Sequence, residues 1–377
     1  MALRDRSAPQ PPPAQHSAIE VLVVDDSAVI RQRLKSIIES DHRFRVTLAA
    51  DPYEAVAHLS RSVPGVIVLD VEMPRMDGLT FLRKLMKQHP MPVVMCTSIP
   101  DRAVTALETG AIEVIAKPDW LNAARLPEWS AGLLESVRNA ARAGKLPLRE
   151  EPLRGGGDPR HSADAVLPHV PYTHRGVTGE PLVVVGVSTG GVQAIQAMLA
   201  GFPADAPPLV IVQHMPADFT AAFAERLNND SRIKVEVAEA RHHDPVRRGK
   251  ALVIPGGGAH GLIRRHGASY RVELHEGPPV CLHRPSVEVL FRSAAQAAGP
   301  AAAGVIMTGM GDDGAGGLLE MREAGALTIA QNEASCVVFG MPREAIRRGA
   351  AKYVVPLESI PRTIMGWVAN PDAGTWH

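Results

Sequence analysis

Two blocks of alternating short apolar runs and helix-like segments constrain the fold of this chain more than any other feature of its sequence. In the first block, the apolar runs lie at residues 19–24, 44–49, 66–70, 92–97 and 112–116. Segments whose apolar residues recur at helical spacing separate them, and a second block further along the chain repeats the pattern. This alternation predicts α/β domains built on doubly wound parallel sheets, with active groups at the carboxyl ends of the strands.

The chain divides into two expected domains with a tail and a linker. Its 377 residues suffice for two domains that each bury a core of ordinary size. We expect the first domain at residues 18–140 and the second at residues 181–370. Residues 141–180 are polar and rich in glycine and proline, which predicts an interdomain linker. Residues 1–17 are rich in proline and lack the apolar core of a signal peptide, so we expect a disordered tail.

Charge, hydropathy and cysteine content argue against several classes of function. The 40 lysines and arginines balance 40 aspartates and glutamates, so nucleic acid is not an expected partner. No apolar run approaches the ~20 residues that span a bilayer, so no membrane insertion is expected. The three cysteines are far apart without metal-ligand spacing, which predicts buried, reduced thiols in a cytoplasmic protein. They are Cys96, Cys281 and Cys336.

Polar residues end the strands of the first block in a chemically coherent set. Asp25, Asp26 and Asp70 are grouped carboxylates, which suit the oxygen-rich shell of Mg²⁺. Asp70 could attack a phosphoryl donor, while Lys117 and Thr97 offset charge on the transferred oxygens. Each residue alone has a simpler explanation, as a helix cap, a strand-end hydroxyl or a surface charge. Five such residues in this order favour one site.

The sequence around these positions resembles the response-regulator receiver family over about residues 19–140. The matching segments are Val-Val-Asp-Asp-Ser at 23–27, Leu-Asp-Val-Glu-Met-Pro-Arg-Met-Asp-Gly at 69–78 and Lys-Pro at 117–118. The resemblance implies a flavodoxin-like domain in which Asp70 accepts the phosphoryl group. It also implies an acidic pocket of Asp25 and Asp26 that binds Mg²⁺ with Asp70, completed by the main-chain carbonyl of Glu72. The strand-end threonine and lysine would be the switch residues.

The second block begins with an apolar run that passes into a G-x-S-x-G motif at residues 186–190. Glycines beside Ser188 tolerate backbone angles and close approaches that a Cβ would block. The helical spacing that follows places this serine near a helix N-terminus, which favours developing negative charge. Ser188 is therefore a candidate nucleophile. The alternative is a glycine-rich turn in which the serine only caps the helix.

Two later segments offer partners for the serine. His214 follows the next strand, at the edge expected for Ser188, and could act as its general base, although a lone histidine can also be structural. Asp312 and Asp313 follow a strand at about residues 304–308. One aspartate would orient the histidine and the other would cap the next helix, and the residues alone do not decide which. Glycines and the helix N-terminus also offer N–H groups for an oxyanion.

The chain order Ser, His, Asp differs from the Ser, Asp, His order of ordinary α/β-hydrolases. The motifs instead resemble the protein-glutamate methylesterases of bacterial chemotaxis over about residues 181–367. The matching segments are residues 186–191, 213–216, 283–287, 308–315 and 331–336. The resemblance implies that Ser188 is the nucleophile, His214 the base and Asp313 the orienting carboxylate. Thr189 and the main-chain N–H of Met310 are secondary candidates for supporting the histidine and the oxyanion.

This chain departs from the family pattern at three positions. Val187, Asp312 and Glu288 stand where members often have alanine, asparagine and aspartate. None of these removes a member of the triad. Asp312 places a second negative charge beside Asp313, and a coupled carboxylate pair would alter the pH behaviour.

Several other histidines have simpler explanations than catalysis. Residues 242–244, His-His-Asp, precede a proline and predict a turn rather than a metal site. His260 follows three glycines and is assigned no catalytic role. His283 and Arg284 are candidates either for lining the substrate groove or for a structural role.

Together the two resemblances imply a phosphorylation-controlled serine hydrolase. The implied substrates are glutamate methyl esters, and in some members glutamines, on the cytoplasmic helices of methyl-accepting chemotaxis receptors. The implied phosphodonor is the histidine kinase of the same pathway, with Mg²⁺ needed in the receiver and no cofactor in the esterase. We expect the unphosphorylated receiver to cover Ser188 and phosphate on Asp70 to weaken that packing. Two alternatives remain, an interaction module without turnover and an esterase of a non-motility chemosensory pathway.

Overall fold

The computed structural model describes residues 18–118, 126–144, 161–172 and 179–370. The predicted tail at residues 1–17 and much of the predicted linker lie outside these ranges. In the part of the chain that is described, no helix combines the length and apolar character needed to cross a membrane.

The N-terminal unit is a five-stranded parallel sheet with the spatial order β2-β1-β3-β4-β5. Its strands are β1 (Ile19–Val24), β2 (Phe44–Ala49), β3 (Val66–Asp70), β4 (Val93–Cys96) and β5 (Glu113–Ile115). Its helices are α1 (Ala28–Glu39), α2 (Pro52–Leu59), α3 (Gly78–Gln88), α4 (Pro100–Thr109) and α5 (Leu126–Ala143). This is the flavodoxin-like strand order, so the predicted fold of the first domain is confirmed.

Side-chain caps explain where the first three helices begin. Oxygens of Ser27, Asp51 and Asp77 accept hydrogen bonds from main-chain N–H groups in the first turns of α1, α2 and α3. Such caps satisfy donors that the helix itself leaves without partners. The first of these helices, α1, thus begins directly after the pair Asp25 and Asp26 that follows β1.

The C-terminal unit contains a seven-stranded parallel sheet with the order β15-β14-β13-β6-β7-β10-β8. Its strands are β6 (Leu182–Val187), β7 (Leu209–Gln213), β8 (Glu236–Glu239), β10 (Lys250–Val253), β13 (Ala302–Ile306), β14 (Leu327–Gln331) and β15 (Tyr353–Val355). A small antiparallel sheet that the sequence analysis did not anticipate is formed by β9 (Pro245–Val246), β11 (His260–His266) and β12 (Ser269–His275).

Helices cover both faces of the large sheet, which confirms the predicted doubly wound architecture. Helices α6 (Gly191–Ala200), α7 (Ala217–Asn228) and α11 (Ile360–Ala369) share one core cluster with alternate residues of the strands. Helices α8 (Val287–Ala298), α9 (Ala315–Glu323) and α10 (Met341–Arg347) share the other. Strands buried on both faces explain why the sequence shows continuous apolar runs.

The two units pack against each other through α4 of the first and α6 and α7 of the second. Val104 of α4 is buried in the core cluster that contains α6 and α7, and Phe219 of α7 is buried in a core cluster of the N-terminal unit. Arg226 of α7 donates to Glu108 Oε1 at 2.6 Å and to Thr105 Oγ1 at 3.1 Å. Apolar burial and hydrogen bonds therefore both cross this interface.

A described part of the predicted linker is packed on the C-terminal unit. Ala163 and Leu167 are buried beside Val289 of α8. Arg292, also on α8, donates to Asp164 Oδ1 at 2.7 Å and to the main-chain oxygen of Leu167 at 2.9 Å. The chain is thus fixed to the second unit before β6 begins.

Candidate active site and phosphorylation site

The carboxyl edge of the first sheet brings the predicted receiver residues together. Asp25 and Asp70 are buried, and Lys117 Nζ lies 2.6 Å from Asp70 Oδ1. Thr97 directly follows Cys96, the β4 residue that is in register with Asp70 of β3, and it is fully buried. The parallel register thus places these side chains at one end of the sheet.

Three carboxylates in this pocket fit a hard divalent cation. Asp25, Asp26 and Asp70 each present an oxygen within 4.8 Å of the others. Burial raises the pKa of Asp25 to about 6, with a further contribution from the charge of Asp70. Burial also raises the pKa of Asp70, although Lys117 opposes this. Oδ2 of Asp70 is buried and has no hydrogen-bond partner within the described ranges, as expected of a group suited to a ligand such as Mg²⁺.

The side chain of Glu72 has a role that the sequence analysis did not anticipate. Its Oε2 accepts a hydrogen bond from Lys117 Nζ at 3.1 Å, so the lysine bridges Glu72 and Asp70. This bridge raises the pKa of Lys117 against the opposing effect of burial. The lysine therefore carries its positive charge beside Asp70.

Ser188 and His214 end neighbouring strands of the second sheet. Val187, the last residue of β6, is in register with Gln213, the last of β7, so the serine and histidine follow side by side. The main-chain N–H of His214 donates to the oxygen of Val187 at 3.1 Å. Parallel pairing of this kind is why the sequence could place both residues at one edge of the sheet.

The serine lies in a tight turn and does not cap the following helix. Gly190 occupies the N-cap position of α6 with a φ of 77°, a left-handed conformation that favours glycine. A Cβ on Gly309 would lie 2.8 Å from Cβ of Ser188, so the glycine permits the β13 loop to approach the serine closely. The alternative of a serine that only caps the helix is therefore wrong.

His214 contacts Asp313, and this geometry selects between the two adjacent aspartates. His214 Nε2 lies 2.8 Å from Asp313 Oδ2, and the carboxylate is buried. Nδ1 of His214 is buried without a hydrogen-bond partner in the described part of the chain, which leaves it for the serine hydroxyl. Asp312 instead accepts a hydrogen bond from Arg348 at 2.9 Å.

Four donors surround the carboxylate of Asp313. Oδ1 accepts from the Ser286 hydroxyl at 2.7 Å and from the N–H of Glu288 at 3.0 Å, while Oδ2 accepts from the N–H of Val287 at 2.8 Å and contacts His214. Burial alone would raise the pKa of Asp313, but the hydrogen bond and charge of His214, with the other donors, lower it. Asp313 is therefore held as an anion facing the imidazole.

One expectation about the aspartates requires correction. Neither aspartate side chain caps α9, because Gly314 is the N-cap residue and Glu288 Oε2 accepts from the N–H groups of Gly314 and Gly316, each at 3.1 Å. Glu288 is a further carboxylate that is coupled to Asp313. Burial, and then the charge of Asp313, raise the pKa of Glu288 to about 7.

The two secondary candidates contact the receiver. The Thr189 hydroxyl donates to Glu113 of β5 and not to His214, so its expected support of the histidine is not observed. The sulfur of Met310 accepts a contact from Arg142 of α5 at 3.5 Å. Thr189, which follows Ser188, and Met310, which follows Gly309, thus both contact the N-terminal unit.

Gln213 is a site residue that the sequence analysis missed. It is buried, and its Nε2 donates to the main-chain oxygens of Ser188 at 3.0 Å and His214 at 2.9 Å. It therefore fixes the main chain of Ser188 relative to that of His214. A polar residue that ends an otherwise apolar strand was the available signal.

The other predictions concern His283, residues 242–244 and the three cysteines. The ring of His283 stacks on that of His214, with centroids 3.7 Å apart and planes 11° apart. Residues 242–244 form the predicted turn, with His243 at a φ of 68°. Cys96 is buried as predicted, but Cys281 and Cys336 are only partly buried, because they lie in loops beside the sheet rather than in its strands.

Comparison with known proteins agrees with both halves of this geometry. Residues 21–126 match the family model of the response regulator receiver domain, and residues 183–364 match that of the CheB methylesterase. Protein-glutamate methylesterase/protein-glutamine glutaminase 3 of Geobacter metallireducens is 52% identical over 354 residues, covering 92% of this chain and 98% of the relative. Protein-glutamate methylesterase/protein-glutamine glutaminase 5 of Anaeromyxobacter dehalogenans is 53% identical over 363 residues, covering 95% of this chain and 99% of the relative.

The relatives are therefore similar along nearly their whole length, and the two domain matches follow the order seen in the structure. Identity of this extent leaves no large segment of either relative without a counterpart here. The chain belongs to the protein-glutamate methylesterase/protein-glutamine glutaminase family, in which a receiver domain is joined to a CheB methylesterase domain.

Proposed function

We propose that this protein is a phosphorylation-activated serine hydrolase that cleaves glutamate methyl esters on chemoreceptors and deamidates receptor glutamines. The observation that carries the proposal is the contact of 2.8 Å between His214 Nε2 and buried Asp313, at the strand edge where Ser188 follows the neighbouring strand. The substrate receptors and the histidine kinase that supplies the phosphoryl group are inferred from the names and domains of the relatives. The proposed location is the cytoplasm.

The geometry suits acyl transfer through a covalent intermediate. Ser188 Oγ attacks the ester carbonyl and its proton passes to Nδ1 of His214, while Asp313 stabilises the resulting imidazolium. The imidazolium then protonates the departing methanol, or ammonia from a glutamine. Water next attacks the acyl-enzyme, gives its proton to His214 and releases glutamate together with free Ser188. The N-terminus of α6 and the N–H of Met310 would favour the oxyanion.

In the receiver, Asp25, Asp26 and Asp70 would hold Mg²⁺. The bound ion would supply positive charge to the phosphoryl oxygens during transfer. Lys117 contributes a second positive charge at Asp70 Oδ1, and Thr97 would donate a hydrogen bond to the transferred group. Asp70 is the proposed phosphoryl acceptor.

The interface supports inhibition by the unphosphorylated receiver. Glu113 and Arg142 hold Thr189 and Met310, the residues next to the nucleophile and at the oxyanion loop. β5, which carries Glu113, ends two residues before Lys117, the partner of Asp70. A phosphoryl group on Asp70 would therefore act on Lys117, two residues beyond the strand whose Glu113 contacts Thr189. A hundredfold change in activity requires only about 2.7 kcal/mol of differential stabilisation.

The proposal is tested by release of labelled methanol from methylated receptor membranes. Wild type, Ser188→Ala and Asp70→Asn are compared with and without a small phosphodonor and Mg²⁺. Ser269→Ala, at the exposed first residue of β12, is the matched serine control. We expect Ser188→Ala to release nothing and the phosphodonor to stimulate only chains that retain Asp70. If wild type releases no methanol under any condition, the substrate assignment fails, and the interaction module without turnover becomes the alternative to pursue.

A further inference from the structure

Two buried polar residues are linked to Asp313 by hydrogen bonds but take no part in the proposed reaction. His260 of β11 and Ser286, which precedes α8, are both fully buried. Burying a polar group is costly unless it is hydrogen-bonded, and both residues are. His260 Nε2 lies 3.0 Å from the oxygen of Pro278, and the Ser286 N–H donates to His260 Nδ1 at 3.2 Å. The Ser286 hydroxyl donates to Asp313 Oδ1, so Ser286 connects His260 to the triad.

The partners of His260 require one neutral tautomer. The Pro278 oxygen only accepts, so Nε2 must carry the proton. The Ser286 N–H only donates, so Nδ1 must not carry one. Burial lowers the pKa of His260, in agreement with a neutral ring. The imidazole therefore acts as a fixed spacer between two main-chain segments.

Ser286 occupies the N-cap position of α8, yet its side chain makes no capping bond to the helix. A serine at this position normally accepts a hydrogen bond from the N–H of the second or third helical residue. Here the carboxylate of Asp313 accepts hydrogen bonds from the N–H groups of Val287 and Glu288, and the Ser286 hydroxyl donates to the same carboxylate. Asp313 has replaced the serine as the cap.

We infer that Ser286 and His260 are positioning residues of the esterase, which hold Asp313 in the orientation that fixes His214. This inference rests on the proposed function. Ser286 acts through its hydroxyl on Asp313, and His260 acts through the main chain of Ser286. Neither touches the substrate or the reacting atoms. Loss of either group would loosen the carboxylate, so the barrier of the reaction would rise while substrate affinity would remain.

The test uses the phosphorylated full-length chain and measures kcat and KM for methanol release. We expect Ser286→Ala to lower kcat about tenfold or more, with KM within about twofold, as for loss of one hydrogen bond to a charged group. His260→Asn, whose amide oxygen can still accept from the Ser286 N–H, should retain more activity than His260→Leu. Urea unfolding gives the folded fraction of each variant.

A readout that needs no substrate separates this inference from the proposed function. The ¹⁵N shifts of the His214 ring, assigned by their loss in His214→Gln, report its hydrogen bond to Asp313. We expect Ser286→Ala and His260→Leu to change these shifts. If wild type shows no turnover but the shifts change, the function fails and the positioning role stands. If folded variants keep wild-type shifts and kcat, or if activity falls only with the folded fraction, the inference is overturned.

Discussion

Replacing Glu113 by alanine should raise the activity of the unphosphorylated protein about tenfold. Glu113 lies on β5 of the receiver and accepts a hydrogen bond from the hydroxyl of Thr189, the residue after the nucleophile. Asn139 of α5 donates to the same Glu113 oxygen at 2.8 Å, but that bond lies within the receiver and survives separation of the two units. Of these two hydrogen bonds of Glu113, only the one from Thr189 crosses the interface and therefore favours the closed form.

The size of the effect follows from that one contact. A hydrogen bond to a charged group contributes about 1.5–3 kcal/mol. The lower end of this range applies because Glu113 is half-buried, and about 1.4 kcal/mol corresponds to a factor of ten in the equilibrium between closed and open forms. Glu108 offers a comparison within the same interface, since its partner Arg226 has a side chain that is 45% exposed. An exposed pair contributes about 0.2–1 kcal/mol, so Glu108→Ala should raise activity about fivefold or less.

The assay is methanol release from methylated receptor membranes without phosphodonor, repeated with phosphodonor and Mg²⁺. Glu113→Gln keeps an oxygen that can accept from Thr189, so its basal rate should lie between those of wild type and Glu113→Ala. All of these variants should reach the same rate once phosphorylated. Thr189→Val alone should also raise the basal rate, and adding Glu113→Ala to it should have little further effect. A basal rate unchanged in folded Glu113→Ala would refute the role of this contact.

Three further predictions concern the triad and the acidic pocket. Asp313→Asn should lower kcat by about 10⁴, because the imidazole loses the partner that orients it, and single-turnover assays would detect the residual rate. Asp70→Asn should retain basal methanol release but show no stimulation by phosphodonor. The folded-state pKa of Asp25 is raised to about 6 from an ordinary value of 3.8, so the folded protein binds this proton more tightly than the unfolded chain. Stability should therefore fall as pH rises from about 4 to about 6, and Asp25→Asn should flatten this slope in thermal unfolding. Mg²⁺ should raise Tm at pH 7.5 and have much less effect at pH 5.

The parallel strands and the residues at their ends could be predicted because they depend on local pattern. Apolar runs such as β6 and β7 are continuous since both of their faces are buried, and the polar residue that ends each run marks the edge where sites form. Ser188, His214 and Asp70 were found in this way. The sequence also predicted a doubly wound sheet in each of the two domains.

The features that could not be predicted depend on contacts between distant segments. Asp312 and Asp313 are adjacent, and only the position of α8 determines that the second faces His214. The side chain that accepts from the first N–H groups of α9 is that of Glu288, which lies 26 residues before Gly314, so no local capping pattern could reveal it. Thr189 was expected to support the histidine, but its partner comes from the other domain. The small antiparallel sheet packs beside the main one through similarly distant contacts.

Anchoring of the linker on α8 affects how inhibition depends on concentration. Because Arg292 fixes Asp164 and Leu167 to the esterase, the receiver is tethered close to the surface that it covers. A tethered domain behaves as a ligand at a high effective concentration that dilution of the protein does not change. Under the proposed function, a receptor helix would therefore compete with this internal ligand at every concentration of the enzyme. Cleavage of the chain between the units would make the same inhibition weak and dependent on protein concentration.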